Sequence, residues 1–117
     1  MRITFSANLR IGVKHDDSAN VFVGYAPALD IYSQGSSKSE AKRATESAVR
    51  QFISVAYDKG VLEQILKSSG FSQVQRGAGA EVESEYIAIS EEEILEEQNF
   101  PYTFDVSTRL DLERVPA

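Results

Sequence analysis

The residue types best suited to chemistry are the single histidine and the aspartates beside it. His15 is followed directly by Asp16 and Asp17, and imidazole and carboxylate groups are common metal ligands. Three adjacent residues in one loop rarely converge on a single ion, however, and the segment HDDSAN (15–20) has the Asp, Ser and Asn content that is typical of turns. We therefore interpret this cluster as a solvated hairpin turn and predict no metal site there.

Other catalytic patterns are weak or missing. The chain has no cysteine, which excludes thiolate nucleophiles, thiolate metal sites and disulfide bonds. No Gly-x-Ser-x-Gly nucleophile pattern occurs, and the segment RGAGAE (76–81) lacks the lysine of a phosphate-binding loop. A two-metal carboxylate site would have to use residues that already have turn or capping roles: Asp16, Asp17, Asp30 and Glu40. We predict that the protein is not an enzyme and has no catalytic residue, cofactor or metal.

The C-terminal part of the chain carries the negative charge. Residues 1–80 contain ten Lys or Arg and seven Asp or Glu (+3), whereas residues 81–117 contain two and eleven (−9). Such a segment is either a solvated surface or a surface that meets a basic partner. It argues against non-specific binding to the nucleic-acid backbone, which needs clustered Lys and Arg. In the second interpretation the candidate partner-binding residues are five glutamates: Glu91, Glu92, Glu93, Glu96 and Glu97.

The N-terminal half is patterned as strands. Apolar residues occupy the odd positions of segment 3–13 and alternate with mostly polar ones, which predicts a half-buried strand. Two further strands are predicted at 21–26 and 29–33, with Pro27, which lacks a backbone N–H, between them. Together the three strands predict an antiparallel meander.

A long helix is predicted directly after the meander. In the sequence Ser37-Lys38-Ser39-Glu40 the Ser37 hydroxyl can accept from the backbone N–H of Glu40, while the Glu40 carboxylate reaches back to the N–H of Ser37. Gly35 permits the left-handed or strained backbone that a sharp strand-to-helix joint often requires. Apolar residues then recur at helical spacing. Gly60 is expected to interrupt the helix, and Gly70 to end the helical segment that follows.

The acidic segment is predicted to contain a strand at 86–90, a short helix and a final strand, after a short strand at 71–75 and a flexible loop at 76–81. The short helix begins with a second capping box at Ser90 and ends with Asn99 in the left-handed conformation. In the last strand the pattern residues occupy even positions from 104 to 112. Because an apolar strand leaves an edge that must be paired or covered, we expect it to pair within the sheet or across a two-fold interface.

Taken in order, these short pieces resemble the HicB-type antitoxins and their HicB-like relatives. The resemblance covers roughly residues 8–70, and its matching residues are Gly24, Tyr25, Pro27, Leu29, Gly35, Ser37, Glu40 and Ala41. It implies an α+β fold likened to a reduced ribonuclease H fold: an antiparallel β meander with one long helix packed on it, additional C-terminal strands and a short acidic helix. Residues 1–80 are expected to form a HicB-like core, and residues 81–117 an acidic C-terminal extension packed on the core or on a second subunit.

The resemblance also implies a function. Toxin–antitoxin members of the family bind a small basic toxin that cleaves mRNA and mask its active surface, and oligomers are common, so we expect such a toxin partner and a homo-oligomer, a dimer or tetramer. The alternative is a stand-alone HicB-like domain that forms a homo-oligomer with an unknown cellular role. The C-terminal segment fits neither a helix-turn-helix nor a ribbon-helix-helix, so we expect no direct DNA binding. No apolar run approaches the roughly 18 residues of a membrane helix, and we expect a cytoplasmic protein.

Overall fold

A computed structural model describes residues 2–77, 81–88 and 91–113 as one six-stranded sheet with three helices. The long helix packs on one face of the sheet, which confirms the predicted α+β class. The elements in chain order are β1 (Arg2–Asp16), β2 (Val21–Ala26), β3 (Ile31–Gly35), α1 (Lys38–Asp58), α2 (Leu62–Ser68), β4 (Phe71–Arg76), β5 (Glu81–Ala88), α3 (Glu91–Glu97) and β6 (Tyr102–Glu113).

The central strand is β1, and strands lie along both of its edges. Strand β6 runs antiparallel along one edge, where residues 2–13 pair with residues 102–113. Two strands share the other edge end to end: β5 runs parallel to residues 2–8, and β2 runs antiparallel to residues 12–16. Between them, residues 9–11 have no strand partner on that side in the described part of the chain. The sheet continues from β2 to β3 and from β5 to β4.

The two faces of the sheet differ because alternate residues of β1 point to opposite sides. Odd-numbered residues from Phe5 to Ile11 are buried in the main core with side chains of α1 and α2. Even-numbered residues from Thr4 to Arg10 are only partly buried. We call these two sides the core face and the polar face.

Two glycines let α1 lie close to the sheet. A Cβ at Gly24 would lie 1.8 Å from Oγ1 of Thr45, and a Cβ at Gly35 would lie 2.6 Å from the backbone N of Ala41. Thr45 is buried and donates its hydroxyl to the carbonyl of Ala41 at 2.7 Å. The prediction of a left-handed backbone at Gly35 is wrong, since its φ is not positive. Close approach of the helix is the reason for glycine at this position.

The start of α1 is capped as predicted in one direction only. The backbone N–H of Glu40 donates to the Ser37 hydroxyl at 3.1 Å, which confirms Ser37 as the N-cap. The Glu40 carboxylate, predicted to reach the N–H of Ser37, accepts instead from the Ser36 hydroxyl. Hydrogen bonds from the hydroxyl and backbone N–H of Ser36 hold the pKa of Glu40 below its ordinary value. Gly60 and Gly70 lie just beyond the ends of α1 and α2 with positive φ, as expected for glycines that end helices.

Several predicted strand boundaries are wrong. The third strand is Ile31–Gly35 rather than 29–33, because Pro27 to Asp30 form a turn in which the Asp30 N–H donates to the Pro27 carbonyl at 3.3 Å. Strand β1 extends through Asp16, so the turn predicted at 15–20 is confined to residues 17–20. Strand β5 begins at Glu81, five residues before the predicted start. The Ser90 cap, the end of that strand at 89–90 and loop residues 78–80 lie outside the described residues.

The C-terminal residues expected as an extension belong to the same sheet as the core. Strand β5 lies between β1 and β4, and β6 covers the opposite edge of β1. In β6, Val106 and Thr108 are buried and Phe104 is partly buried on the core face. The even-numbered pattern is therefore confirmed at these three positions, whereas the side chains of Leu110 and Leu112 lie outside the described part.

Candidate partner-binding site around Arg10 and Glu91

A side chain closes the gap on the edge of β1. At residues 9–11 this edge has no strand partner among the described residues, so the sheet does not satisfy the backbone N–H of Arg10. The Glu91 carboxylate accepts that hydrogen bond, with 2.7 Å between Arg10 N and Glu91 Oε2. A buried polar group without a partner costs about 1–3 kcal/mol. Glu91 therefore provides the hydrogen-bond acceptor that the gap between β5 and β2 leaves missing.

Glu91 is itself buried, with only 5 % of its surface exposed. Removal of the carboxyl group from water raises its pKa to about 7, against the lowering effects of the Arg10 N–H and the Arg10 charge. The neighbouring carboxylates of Asp105 and Glu92 raise it further. Glu91 consequently changes its protonation state near neutral pH.

The Arg10 guanidinium links α3 to β6 on the polar face. It forms an ion pair with Glu92, and its Nη2 donates to Oγ1 of Thr103 at 3.2 Å. Its Nε lies 3.2 Å from Oδ1 of Asp105, an ion-pair contact that lacks the alignment of a hydrogen bond. The side chains of Glu92 and Asp105 remain 70 % and 88 % exposed, so both carboxylates still face solvent.

A cleft of about 690 Å³ lies beside this cluster. Four carboxyl groups and one guanidinium contribute to its lining, so its net charge is negative when the carboxyl groups are ionised. Glu83 and Glu85 of β5 lie on the same face of the sheet, since they pair in parallel register with Thr4 and Ser6 of β1. The polar residues that line the cleft are Asn8, Arg10, Glu91, Glu92, Glu93, Asp105 and Ser107. A basic side chain or a basic protein surface is the occupant that this charge favours.

Four of the five predicted partner-binding glutamates are exposed. They are Glu92, Glu93, Glu96 and Glu97. Glu91 requires a correction, because its carboxylate is buried against β1 and its Oε2 is held by the Arg10 N–H. Glu91 anchors the acidic helix and does not belong to its exposed surface.

Helix stability accounts for only part of the charge on α3. Glu91, Glu92 and Glu93 occupy the first turn, where the helix dipole favours negative charge. Glu96 and Glu97 lie at the other end, where the dipole disfavours it, and the last turn contains no basic residue. These two carboxylates are exposed at a place where they weaken the helix.

A small apolar cluster fixes α3 on the polar face. Leu95 and Phe100 pack with Tyr25, close to the backbone of Gly12. A Cβ at Gly12 would lie 2.7 Å from Cδ2 of Leu95. Asn99 ends the helix with φ +59, which confirms the predicted left-handed residue. Gly12 and Arg10 together set the position of the acidic helix, and neither was identified from the sequence.

The β2–β3 turn contains or adjoins three of the residues that carry the HicB-like resemblance: Tyr25, Pro27 and Leu29. Tyr25 is buried and stacks on Tyr32 with ring centroids 4.1 Å apart. Its hydroxyl donates to Oδ1 of Asp30 at 3.3 Å, and burial raises its pKa to about 12. Pro27 opens the turn, and Leu29 is partly buried against the main core. None of these residues lines the acidic cleft.

The histidine and its neighbours lie at the β1–β2 turn. The His15 ring packs edge-on against Phe22, and its Nδ1 lies 2.6 Å from Oδ1 of Asp17. Asp16 accepts from the hydroxyl of Ser18 at 2.7 Å and from its backbone N–H at 3.1 Å, and these bonds help to lower the pKa of Asp16. Across the described residues, no group of three or more His, Asp or Glu side chains could hold a metal ion.

Among the helices that the structure describes, none is long and apolar enough to cross a membrane. Comparison with protein-family models, with curated proteins and with solved structures gave no match. The resemblance to HicB-like proteins therefore depends on the signature residues and their order.

Proposed function

We propose that this chain is a non-enzymatic protein-binding module of the HicB-like antitoxin type, which masks a small basic RNA-cleaving toxin in the cytoplasm. The main support is the acidic cleft beside Arg10, flanked by the exposed glutamates of α3. A protein that binds RNA presents clustered Lys and Arg to the phosphates. An acidic surface that takes the place of those phosphates covers the same groups and accelerates the encounter.

The acidic surface is assembled from three separate parts of the chain. Glu83 and Glu85 come from β5, Glu92 and Glu93 from α3, and Asp105 from β6. The sheet and the packed α3 fix the backbone positions of these residues before a partner arrives. Little ordering is then required on binding, which favours affinity.

Arg10 reduces the repulsion among these carboxylates without removing their access to a partner. It contacts Glu92 and Asp105, yet most of each carboxylate side chain remains exposed. Each carboxylate has two oxygens and can accept from a second cation. A basic side chain of the toxin that enters the cleft would therefore meet several acceptors at once.

The glutamates of α3 can be tested against a matched control. The variant Glu93→Gln/Glu96→Gln/Glu97→Gln changes the net charge from −6 to −3. The control variant Asp17→Asn/Asp58→Asn/Glu63→Gln makes the same change at exposed positions on other elements. Each tagged protein is used at low salt to purify partners from its host, and the retained proteins are identified by mass spectrometry.

We expect the wild type and the control to retain the same small basic protein, and the α3 variant to lose it. The retained protein should elute as the salt concentration rises and should cleave RNA when it is separated from this chain. Equal retention by the two variants, or a retained protein without RNA-cleaving activity, would contradict the proposal. Recovery of the chain alone as a defined homo-oligomer would favour the stand-alone alternative.

A further inference from the structure

Strand β6 has a long outer edge that no other strand of the described residues covers. It contains twelve residues, and in the described part of the chain it pairs with β1 alone. The other two edge strands, β3 and β4, contain five and six residues. An open edge presents a row of unpaired backbone N–H and C=O groups, which is a template for pairing with another strand.

One hydrogen bond reveals which residues of β6 direct their backbone N–H and C=O groups towards the open edge. The backbone N–H of Arg10 donates to Glu91, on the side of β1 that faces away from β6. Arg10 is paired with Asp105, so this is a non-hydrogen-bonded pair, and the backbone groups of Asp105 also point away from β1. Because the two kinds of pair alternate along an antiparallel ladder, the outward residues are the odd-numbered ones: Thr103, Asp105, Ser107, Arg109 and Asp111.

The charges on this edge favour one register for a second copy of the strand. With Ser107 opposite Ser107 of the second copy, Asp105 of each copy lies opposite Arg109 of the other. If the two-fold axis lay at residue 105, the two Asp105 side chains would face each other, and at residue 109 the two Arg109 side chains would do so. If the axis lay one residue away from Ser107, Asp105 would no longer lie opposite Arg109. Opposite charges across a strand pair stabilise it and like charges destabilise it, so the register centred on Ser107 is preferred.

We propose that two copies of this chain pair through β6, antiparallel and about a two-fold axis at Ser107. The five outward residues of each copy then form five pairs that exchange two backbone hydrogen bonds each, about ten bonds in all. This is the number found in a typical protein–protein interface. The interface is isologous, as expected for a closed dimer, and α1 of both copies lies on the same face of one continuous sheet.

A cysteine at the axis tests both the dimer and its register. The chain has no cysteine, so Ser107→Cys introduces the only thiol. Facing residues in a hydrogen-bonded antiparallel pair have Cα atoms about 5.5 Å apart, within the range that a disulfide bridges. In the control Thr103→Cys, the two thiols lie eight residues apart along the strands, about 27 Å. Under mild oxidation, Ser107→Cys should form a covalent dimer and Thr103→Cys should not.

Charge reversal provides a second test that does not depend on a thiol. Arg109→Asp places negative charges opposite each other and should weaken the dimer about tenfold. Arg43→Asp, at an exposed position on α1, makes the same charge change and serves as the control. Asp105→Arg should also weaken the dimer, whereas a mixture of the Asp105→Arg and Arg109→Asp chains should form a heterodimer, since both contacts then join opposite charges.

Sedimentation equilibrium supplies the decisive measurement. The proposal expects twice the 12.9 kDa mass of one chain. A monomer at high micromolar concentration would overturn it, and so would equal crosslinking of the two cysteine variants or a mixture that stays monomeric. Capture of a strand from a different protein at this edge would also overturn it. The dimer test uses β6 and needs no toxin, so its result is independent of the proposed function.

Discussion

Replacement of the buried glutamate should remove a pH dependence from the stability of the protein. Glu91→Gln keeps an oxygen that can accept from the Arg10 N–H, but it cannot ionise. In the wild type the folded carboxyl group has a pKa of about 7, against an ordinary value of 4.5. Between these two values the folded state binds more protons than the unfolded state. Stability from this group is therefore present at low pH and is lost as the pH rises through about 7.

The size of the effect follows from the two pKa values. Well above pH 7 the ionised Glu91 lowers the free energy of unfolding by about 3 kcal/mol, and below pH 4.5 it has almost no effect. Most of that loss, about 2 to 3 kcal/mol, falls between pH 5 and pH 8. The difference in unfolding free energy between Glu91→Gln and the wild type should grow by this amount across that range, in favour of the variant.

Urea unfolding followed by circular dichroism at several pH values between 5 and 8 measures this difference. Comparing the change with pH, rather than the stability at one pH, cancels any fixed effect of the amide group. Glu93→Gln removes an exposed carboxylate from the same turn of α3 and corrects for the loss of charge alone. A Glu91→Gln difference that follows the Glu93→Gln difference at every pH would refute the assignment of Glu91 as a buried carboxyl group that closes the gap in the sheet.

Three further changes test the packing of α1 and the core by urea unfolding. Gly24→Ala places a methyl group where Oγ1 of Thr45 lies 1.8 Å away, so α1 must shift. The free energy of unfolding should fall by about 3 kcal/mol or more, and an unchanged value would contradict the close contact. Ser37→Ala removes the N-cap of α1 and should cost about 1 kcal/mol, and no loss would mean that the cap is not formed. In the part of the chain that the structure describes, the buried Tyr86 hydroxyl has no hydrogen bond of good geometry, and burial followed by the Glu63 charge raises its pKa to about 12. Tyr86→Phe should therefore be neutral or stabilising by up to about 1 kcal/mol, and a clear loss would reveal a real partner for the hydroxyl.

The meander and α1 could be predicted because their signals are local. The odd-numbered apolar positions of β1, the Ser37 cap and the left-handed Asn99 each involve residues within a few positions of one another. The apolar pattern predicts the third strand two residues too early, because Leu29 continues that pattern. Pro27 and the left-handed Asp30 nevertheless bend the chain there.

The site could not be predicted because its parts are distant in sequence. Arg10 and Glu91 are 81 residues apart. The backbone N–H of Arg10 needs a side-chain acceptor because it lies in the gap between β5 and β2 on one edge of β1. The sequence does not reveal the start of strand β5, because Ser84 is buried although it is a small polar residue, and it hides the alternation of apolar and polar positions. The glutamates on either side of Ser84 then resemble a loop, although they occupy the polar face of a strand.

The sharing of β1 between near and distant partners has a consequence for biosynthesis. The second half of this strand pairs with β2, which is made immediately afterwards. Among the described residues, the first half pairs with 81–88 and 102–113, and Ala7, for example, lies opposite Tyr86 and Thr108. At about 5–20 residues per second, a ribosome needs several seconds to reach those partners. During that interval the apolar start of the chain is an unsatisfied strand, which makes chaperone binding and slow, non-local sheet closure the expected features of its folding.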